Sequence, residues 1–385
     1  MSKTSIFNIK IDFDKSHGSY IFDKNTKKYY LDFMGMYSSL PLGYNHKIFD
    51  SLTWQKDILR IAKLKIVNCE ILSDEFEEFN NLFIDFAGTA KYKYSHYTCT
   101  GALANEAAIK AAMWHKGPRR DGYILSVKNS FHGVNSIGNI ITTRFAGVDL
   151  RLGNIPGENL WPCAENLDEA IRHIKNLNKN LQGIIIEPIQ ATAGDSYFEK
   201  QKLKELRDVC TEYDIPLIFD EVQTGFCSTG KVWYFEHLEM TPDIIAFGKK
   251  SQVSGILVKE SHSSVFDIPK RLSVTFDGDL VDMVRCKYII TAIKKYKLLD
   301  NVNNTAEYFK NKLEKVSNIS NVRNIGLLFA FDFQYQKQRD SFVKKLYKKG
   351  MICNPTGKNS IRMRPNLAVT KSEIDNAIKM IGESL

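Results

Sequence analysis

Five side chains in this sequence have the type and placement for chemistry. They are Glu187 in GIIIEPI, Asp220 and Glu221 in PLIFDEV, and the pair Lys249 and Lys250 in DIIAFGKKS. Each follows a short apolar run. A carboxylate at the mouth of a buried strand is costly unless an opposite charge meets it, so Asp220 calls for a cationic partner. A lysine desolvated directly after such a strand has a lowered pKa and becomes a nucleophile toward carbonyl carbon. Taken singly, Asp220 and Glu187 also suit helix caps or surface ion pairs, and the lysine pair suits a solvated loop. Their shared placement at strand ends is what signals a site.

Such groups meet only if the runs that carry them are neighbouring strands. GYILSV (122–127), GIIIEPI (183–189), PLIFDEV (216–222) and DIIAFG (243–248) read as buried strands. Between them, GALANEAAIKAAMWHK (101–116), LDEAIRHIKNLNKN (167–180) and KQKLKELRDVCTEYD (200–214) have helical spacing. Strands apolar on both faces that alternate with helices predict an α/β fold around a mostly parallel sheet, covered on both sides. In such a sheet ligands sit at the carboxyl ends of strands, where Glu187, Asp220 and Lys249 lie. Residues 19–33 read as two short strands around a turn. The rhythm changes at 276–285, where a long helix opens shorter α+β material with strands at 325–333 and 360–367. A closing helix follows, with Ser372 as its candidate N-cap. The expected domains are an N-terminal segment 1–45 packing with the small domain, a large domain 46–279 and a small C-terminal domain 280–385.

Composition narrows the function classes. The chain has 385 residues, 43% of them hydrophobic, enough for a large core. Its start, MSKTSIFNIKID, has no apolar core of a secretory signal, and no apolar run reaches the ~18–20 residues of a membrane span. Seven cysteines lack any C-x-x-C pair, so a reduced cytoplasmic setting without structural zinc or other metal is expected. The formal charge is +9, but lysines recur evenly, as in KNLNKN, AIKKYK and VKKLYKK. That pattern reads as a solvated surface rather than a nucleic-acid site. GFCSTGKV (225–232) nearly matches a P-loop, yet Val232 stands where a hydroxyl must hold Mg²⁺.

A nucleophilic lysine, a buried acid on a neighbouring strand and a glycine-opened helix together suit pyridoxal 5'-phosphate (PLP). That cofactor needs a Schiff-base lysine, an acid for its pyridinium nitrogen and a helix N-terminus for its phosphate. The pyridinium would then be the partner of Asp220. The motifs GSYIFDKNTKKYYLDFMGMYSSLPLGYN, TGALANEAAIKAAM, FHG, IIIEPIQ, LIFDEVQTGF, PDIIAFGKKSQVSG, RLSVTFDGDLVDMVR and IRMRPNLAVTKSEID carry a resemblance nearly end to end. The chain resembles the class III (omega) aminotransferases of fold type I, and among them is most similar to the L-lysine 6-aminotransferases.

The resemblance implies a PLP enzyme that exchanges an amino group between an omega-amine, or an aldehyde or ketone, and glutamate or 2-oxoglutarate. It implies Lys249 rather than Lys250 as the Schiff-base lysine and Asp220 as the acid on the ring nitrogen. Val222 and Phe131 would lie on the two ring faces, Gln223 on the phenolic oxygen, and Gly101 and Ala102 at the phosphate. Thr275 would reach the phosphate of a partner subunit, which implies a homodimer with shared active sites. Arg362 would clamp the keto acid's carboxylate, with Arg364 as runner-up. Two positions depart from the pattern. Where the family commonly reads F-H-G-R this chain has Val134, and where it reads E-P-I-Q-G-E this chain has Ala191 and Thr192. The donor's carboxylate clamp and the acidic gate are therefore both replaced. A PLP aminomutase, decarboxylase or racemase on the same fold, or a silent binding homologue, are the alternative readings.

Overall fold

The structure, a computed structural model, describes residues 7–68, 70–144, 161–176 and 179–385. It divides into two compact units, Lys56–Thr291 and Met1–Gln55 with Ala292–Leu385. The divisions fall inside the helices Leu52–Ile61 and Leu280–Lys295.

The unit Lys56–Thr291 is built on a seven-stranded sheet. Its strands are β1 (Tyr94–Thr98), β2 (Tyr123–Val127), β3 (Cys163–Ala164), β4 (Leu181–Ile186), β5 (Leu217–Asp220), β6 (Ile244–Phe247) and β7 (Ser254–Val258). The spatial order is β1-β7-β6-β5-β4-β2-β3. β7 runs antiparallel to both its neighbours, and the ladders from β6 to β3 are parallel. In the middle, Ile185, Ile218 and Ile244 lie side by side in register. Every residue of β4, β5 and β6 is buried, as the apolar runs 184–186, 217–219 and 244–247 require of strands covered on both faces. Gly255 of β7 sits where a Cβ would lie 2.2 Å from the His96 carbonyl oxygen, so only glycine lets β7 lie flat against β1.

One helix is central to the site. Gly101–His115 is capped by Thr100, whose hydroxyl accepts the Leu103 N–H. Ala104, Ala107, Ala108, Ala111 and Ala112 are buried and share a core cluster with Ile185, Ile218, Ile244 and Ile256. A run of alanines keeps the helix close to the strands; one buried around most of its surface shows little amphipathic periodicity.

The unit Met1–Gln55 with Ala292–Leu385 holds two four-stranded sheets. In one, Ile11–His17, Tyr20–Asp23 and Lys28–Asp32 form a meander, and Met351–Ile352 pairs in parallel with Leu31 and Asp32. In the other, the order is Ser320–Ile325, Leu328–Asp332, Ser360–Met363 and Asn354–Thr356.

Several expected elements differ in extent. The apolar run 325–333 is not one strand but the turn and second arm of a hairpin, because Gly326 adopts φ +51°. β4 ends at Ile186, two residues before Pro188, which has no N–H for a ladder; Ile189–Gln190 pairs separately with Ser196–Tyr197. The helix expected over 167–180 spans Leu167–Lys175 and ends at Asn176; residues 177–178 lie outside the described residues. The cap of the closing helix Lys371–Gly382 is Thr370 and not Ser372. Thr370 Oγ1 accepts the Glu373 N–H at 3.2 Å, and the Glu373 carboxylate accepts the Thr370 N–H at 2.7 Å, a reciprocal capping box.

Candidate active site

β5 ends in Asp220 and the chain turns at once, so adjacent carboxylates take opposite faces. Glu221 turns to the Trp233–His237 segment. There it accepts the N–H groups of Tyr234 and Phe235 at 2.7 and 3.0 Å and the Thr224 hydroxyl at 3.0 Å. Burial pushes its carboxyl up to about 7. Its bonds are those of a structural anchor.

Asp220 turns to the helix Gly101–His115. Its Oδ2 accepts Asn105 Nδ2 at 2.7 Å and His132 Nδ1 at 2.8 Å, and its Oδ1 accepts the Val222 N–H at 3.1 Å. Asn105 Nδ2 also donates to the His132 carbonyl at 3.0 Å, which ties helix, FHG turn and strand end together. Asp220, Asn105 and His132 are all buried. With Nδ1 donating to a carboxylate, His132 is held in one tautomer, and its Nε2 has no hydrogen-bond partner among the described residues. Asp220 thus has three donors around it but no Lys or Arg ion partner among the described residues.

At the end of β4, Glu187 Oε1 accepts the Phe131 N–H at 2.8 Å. Its carboxyl is pushed up to about 8, first by burial and then by the charge of Asp220; the N–H groups of Phe131 and Ala191 and the charge of Lys249 oppose the rise. Lys249 and Glu187 are therefore electrostatic neighbours. Lys249 opens a short 3-10 turn directly after β6 and has φ +54°, a left-handed conformation uncommon for a side-chain-bearing residue. Lys250 is buried on another side, where its charge opposes the burial that raises the Cys227 thiol. The two lysines thus have separate surroundings, and Lys249 is the one beside Glu187.

The glycines fix close approaches here. A Cβ on Gly101 would stand 2.8 Å from Val222 Cγ1, and one on Gly133 2.8 Å from the Ala102 Cβ. A Cβ on Gly248 would come 3.6 Å from the Gly101 Cα. The helix start, the FHG turn, Val222 and the backbone before Lys249 therefore crowd together. Gln223 is buried, and its Nε2 lacks a partner among the described residues. These features fit PLP: an acid without a Lys or Arg partner among the described residues, a lysine beside the neighbouring Glu187, a crowded helix start that opens with glycine, and a buried amide donor without a partner among the described residues. The six described cysteines are free, and no metal-holding group of His, Cys, Asp and Glu occurs among the described residues.

The other residues singled out from the sequence fall in three places. Val134 follows Gly133 and is 47% exposed. Thr192 lies on the short turn Ala191–Ala193; its carbonyl accepts Arg144 Nε at 2.5 Å, and its Oγ1 is buried without a partner among the described residues. Thr275 is exposed, beside Phe276, whose carbonyl accepts the Cys99 thiol at 3.5 Å. Arg362 belongs to the other unit, on the strand Ser360–Met363, half-buried and in register with Ala330 and Asn354. Arg364 is 2% exposed and donates to the carbonyls of Phe329 and Met363 at 3.1 and 3.0 Å, which engages it within its own unit. Asn105 and His132 were not assigned from the sequence. The signal for Asn105 was a lone amide in an alanine-rich helix, one turn after Gly101; for His132 it was the imidazole inside the FHG turn.

Known proteins agree with this arrangement. Residues 1–385 match the family "Aminotransferase class-III". An L-lysine-epsilon aminotransferase of Mycobacterium tuberculosis is 31% identical over 98% of this chain and 92% of its own length. A 4-aminobutyrate aminotransferase of Dictyostelium discoideum is 29% identical over 97% and 84%. The solved lysine aminotransferase of M. tuberculosis in its internal aldimine form superposes with a TM-score of 0.93 and 29% identity, covering 100% of this chain and 96% of that one. With a fold type I sheet, strand ends bearing Glu187, Asp220 and Lys249, and a family match over its whole length, the chain belongs to the class III aminotransferases.

Proposed function

We propose that this PLP-dependent aminotransferase moves an amino group from an omega-amine donor to a keto acid, with glutamate and 2-oxoglutarate as one substrate pair. The observation that carries the reading is the Asp220 carboxylate, fixed by Asn105 and His132 at 2.7 and 2.8 Å with Lys249 as a near neighbour of Glu187. When bound, PLP supplies an electrophilic carbonyl carbon and a ring that takes up the electron pair left at the substrate carbon. Asp220 would hold a proton on the ring nitrogen, and Lys249 would move the proton at the substrate carbon as base and then acid. Val222 and Phe131 would lie on the two ring faces, Gln223 Nε2 would donate to the phenolic oxygen, and the helix start at Gly101 and Ala102 would receive the phosphate. Arg362 is assigned to the keto acid's carboxylate.

The donor is read from Val134 and Thr192. Lysine's α-carboxylate would meet an apolar side chain at 134, and a charge-assisted hydrogen bond lost there is worth roughly 1.5–3 kcal/mol, about ten- to a hundredfold in binding. Thr192 has no charge with which to neutralise Arg362. The favoured donor therefore has a far end that is apolar, neutral or carried on a larger molecule. A cytoplasmic homodimer, sharing its sites through Thr275, completes the reading. It is supported by free cysteines among the described residues and by exposed apolar side chains around Thr275. No helix among the described residues is long and apolar enough to cross a membrane.

The test is a panel of amine donors, read as spectral conversion of the bound cofactor to its amine form, with kcat/KM for lysine in the wild type and in Val134→Arg with Thr192→Glu. Lysine is expected to be a poor donor that the double substitution improves. A wild type that uses lysine as well as its best donor overturns the donor assignment.

A further inference from the structure

The net charge of +9 is not evenly divided. The unit Met1–Gln55 with Ala292–Leu385 has 25 Lys and Arg against 13 Asp and Glu, a net +12, and Lys56–Thr291 has 28 against 31, a net −3. The even spread read from the sequence holds for local spacing but not for the two units. The excess is densest on the helix Gln336–Lys349, where Lys337, Lys344, Lys345, Lys348 and Lys349 are exposed. Its one acid, Asp340, is taken by Arg339 at 2.7 Å.

A pocket of about 510 Å³ opens along this helix, a volume within the range of small-molecule sites. Its aromatic wall is Phe333, Phe342 and Tyr335. The two phenylalanine rings are 5.1 Å apart and buried, and Tyr335 is 59% exposed. Lys337 and Lys345 line it from the helix, with Gln338 and Ser341 between them, and no Asp or Glu is among its lining residues. The last two residues, Ser384 and Leu385, also line it, and Lys345 Nζ donates to a carboxylate oxygen of Leu385 at a long 3.4 Å, a contact an incoming anion would have to replace. An apolar aromatic wall beside two ammonium groups, on a unit of strong positive charge, selects a ligand with a flat apolar body and an anionic end. Tyr335, backed by the two buried phenylalanines, takes the ring, the lysines take the charge, and the field of the unit raises the local anion concentration.

We propose that this pocket is a second binding site, for an aromatic organic anion of about the size of a nucleoside monophosphate. Two sources share that chemistry, an aryl phosphate and an aryl carboxylate. The test is calorimetric titration of the PLP-loaded enzyme with adenosine monophosphate, with indole-3-acetate and with inorganic phosphate. The expected result is saturable binding of one ring-bearing anion per chain, weakened by salt and at least about tenfold tighter than phosphate alone. The tighter of the two probes identifies the anionic group. Lys337→Gln and Lys345→Gln should each weaken binding about tenfold, and Tyr335→Ala should also weaken it. All three variants should leave kcat/KM for transamination unchanged, which separates this pocket from the amine site. Failure of both ring compounds to bind at millimolar concentration, phosphate binding as tightly as either, or affinities untouched by the lysine substitutions would each overturn the proposal.

Discussion

Asp220 is held by three donors and is proposed to meet the cofactor's ring nitrogen, so its substitution separates holding from catalysis. Asp220→Asn keeps the size of the side chain but cannot keep a ring nitrogen protonated, and it presents an amide to Asn105 and His132. Removing one partner of a buried ion pair costs roughly 3–5 kcal/mol, about two to nearly four orders of magnitude if expressed in rate. The variant should retain bound PLP and lose turnover on that scale, measured as the single-turnover rate with a good amine donor. Rates near wild type would show that Asp220 does not serve the ring. Glu187 offers a complementary test through pH. Its carboxyl rises from the ordinary 4.5 to about 8, so between those values the folded chain holds a proton that the unfolded chain has released. The stability from this proton is complete below about 4.5 and is lost as pH rises through about 8. Glu187→Gln, uncharged throughout, should therefore gain stability relative to wild type as pH rises from 5 to 9, measured by urea unfolding at each pH. A constant difference would mean that Glu187 is ionised in the fold at neutral pH. At this scale the sequence displayed the groups at strand ends, because an acid or amine after an apolar run is visible without coordinates. It did not display Asn105 and His132 as the partners of Asp220, because that contact spans 115 and 88 residues and depends on how a helix lies across strands.

The elements that position these groups were legible where the physics is local. β4, β5 and β6 are buried on both faces and are carried by the apolar runs 184–186, 217–219 and 244–247. The helix Gly101–His115 announces itself through its alanines and the glycine that opens it. Limits were less legible, since they turn on one residue each: Gly326 bends a run that reads as a single strand, and Pro188 shortens another. The closing helix shows how a cap is misjudged. Ser372 looks like an N-cap, yet Thr370 and Glu373 form the reciprocal pair, and the Glu373 carboxylate also accepts the Ser19 N–H at 2.8 Å. Thr370 therefore steadies a carboxylate that also ties down the N-terminal strands. Thr370→Ala should cost about 1–2 kcal/mol, and Thr370→Ser should restore most of it, in denaturant unfolding. Ser372→Ala, the cap expected from the sequence, should change stability by less than about 0.5 kcal/mol.

For the whole molecule, the surface around Thr275 bears on assembly. Leu64, Ile71 and Leu72 are 74, 68 and 58% exposed, and Val274 and Phe276 are 56 and 39% exposed. The two segments adjoin: Lys65 lies over the Phe276 ring at 4.6 Å and pairs with Asp279 at 3.0 Å, and Lys270 pairs with Glu70 at 2.7 Å. An apolar patch rimmed by ion pairs is the anatomy of a protein interface rather than of a solvated surface. Thr275 sits within it, exposed, so covering the patch with a second copy would place Thr275 at the contact between copies. The chain should sediment as a dimer. Phe276→Asp, which puts a charge within the patch, should shift it toward monomer and weaken PLP retention in the same samples, because the phosphate contact proposed for Thr275 of the second copy would then be lost. Thr275→Ala should keep the dimer and weaken only PLP retention, measured as the cofactor remaining after dialysis. A monomer that holds PLP and turns over at the wild-type rate would refute the shared site. A Thr275→Ala dimer with undiminished cofactor would leave the interface standing and remove Thr275 from it as a phosphate ligand.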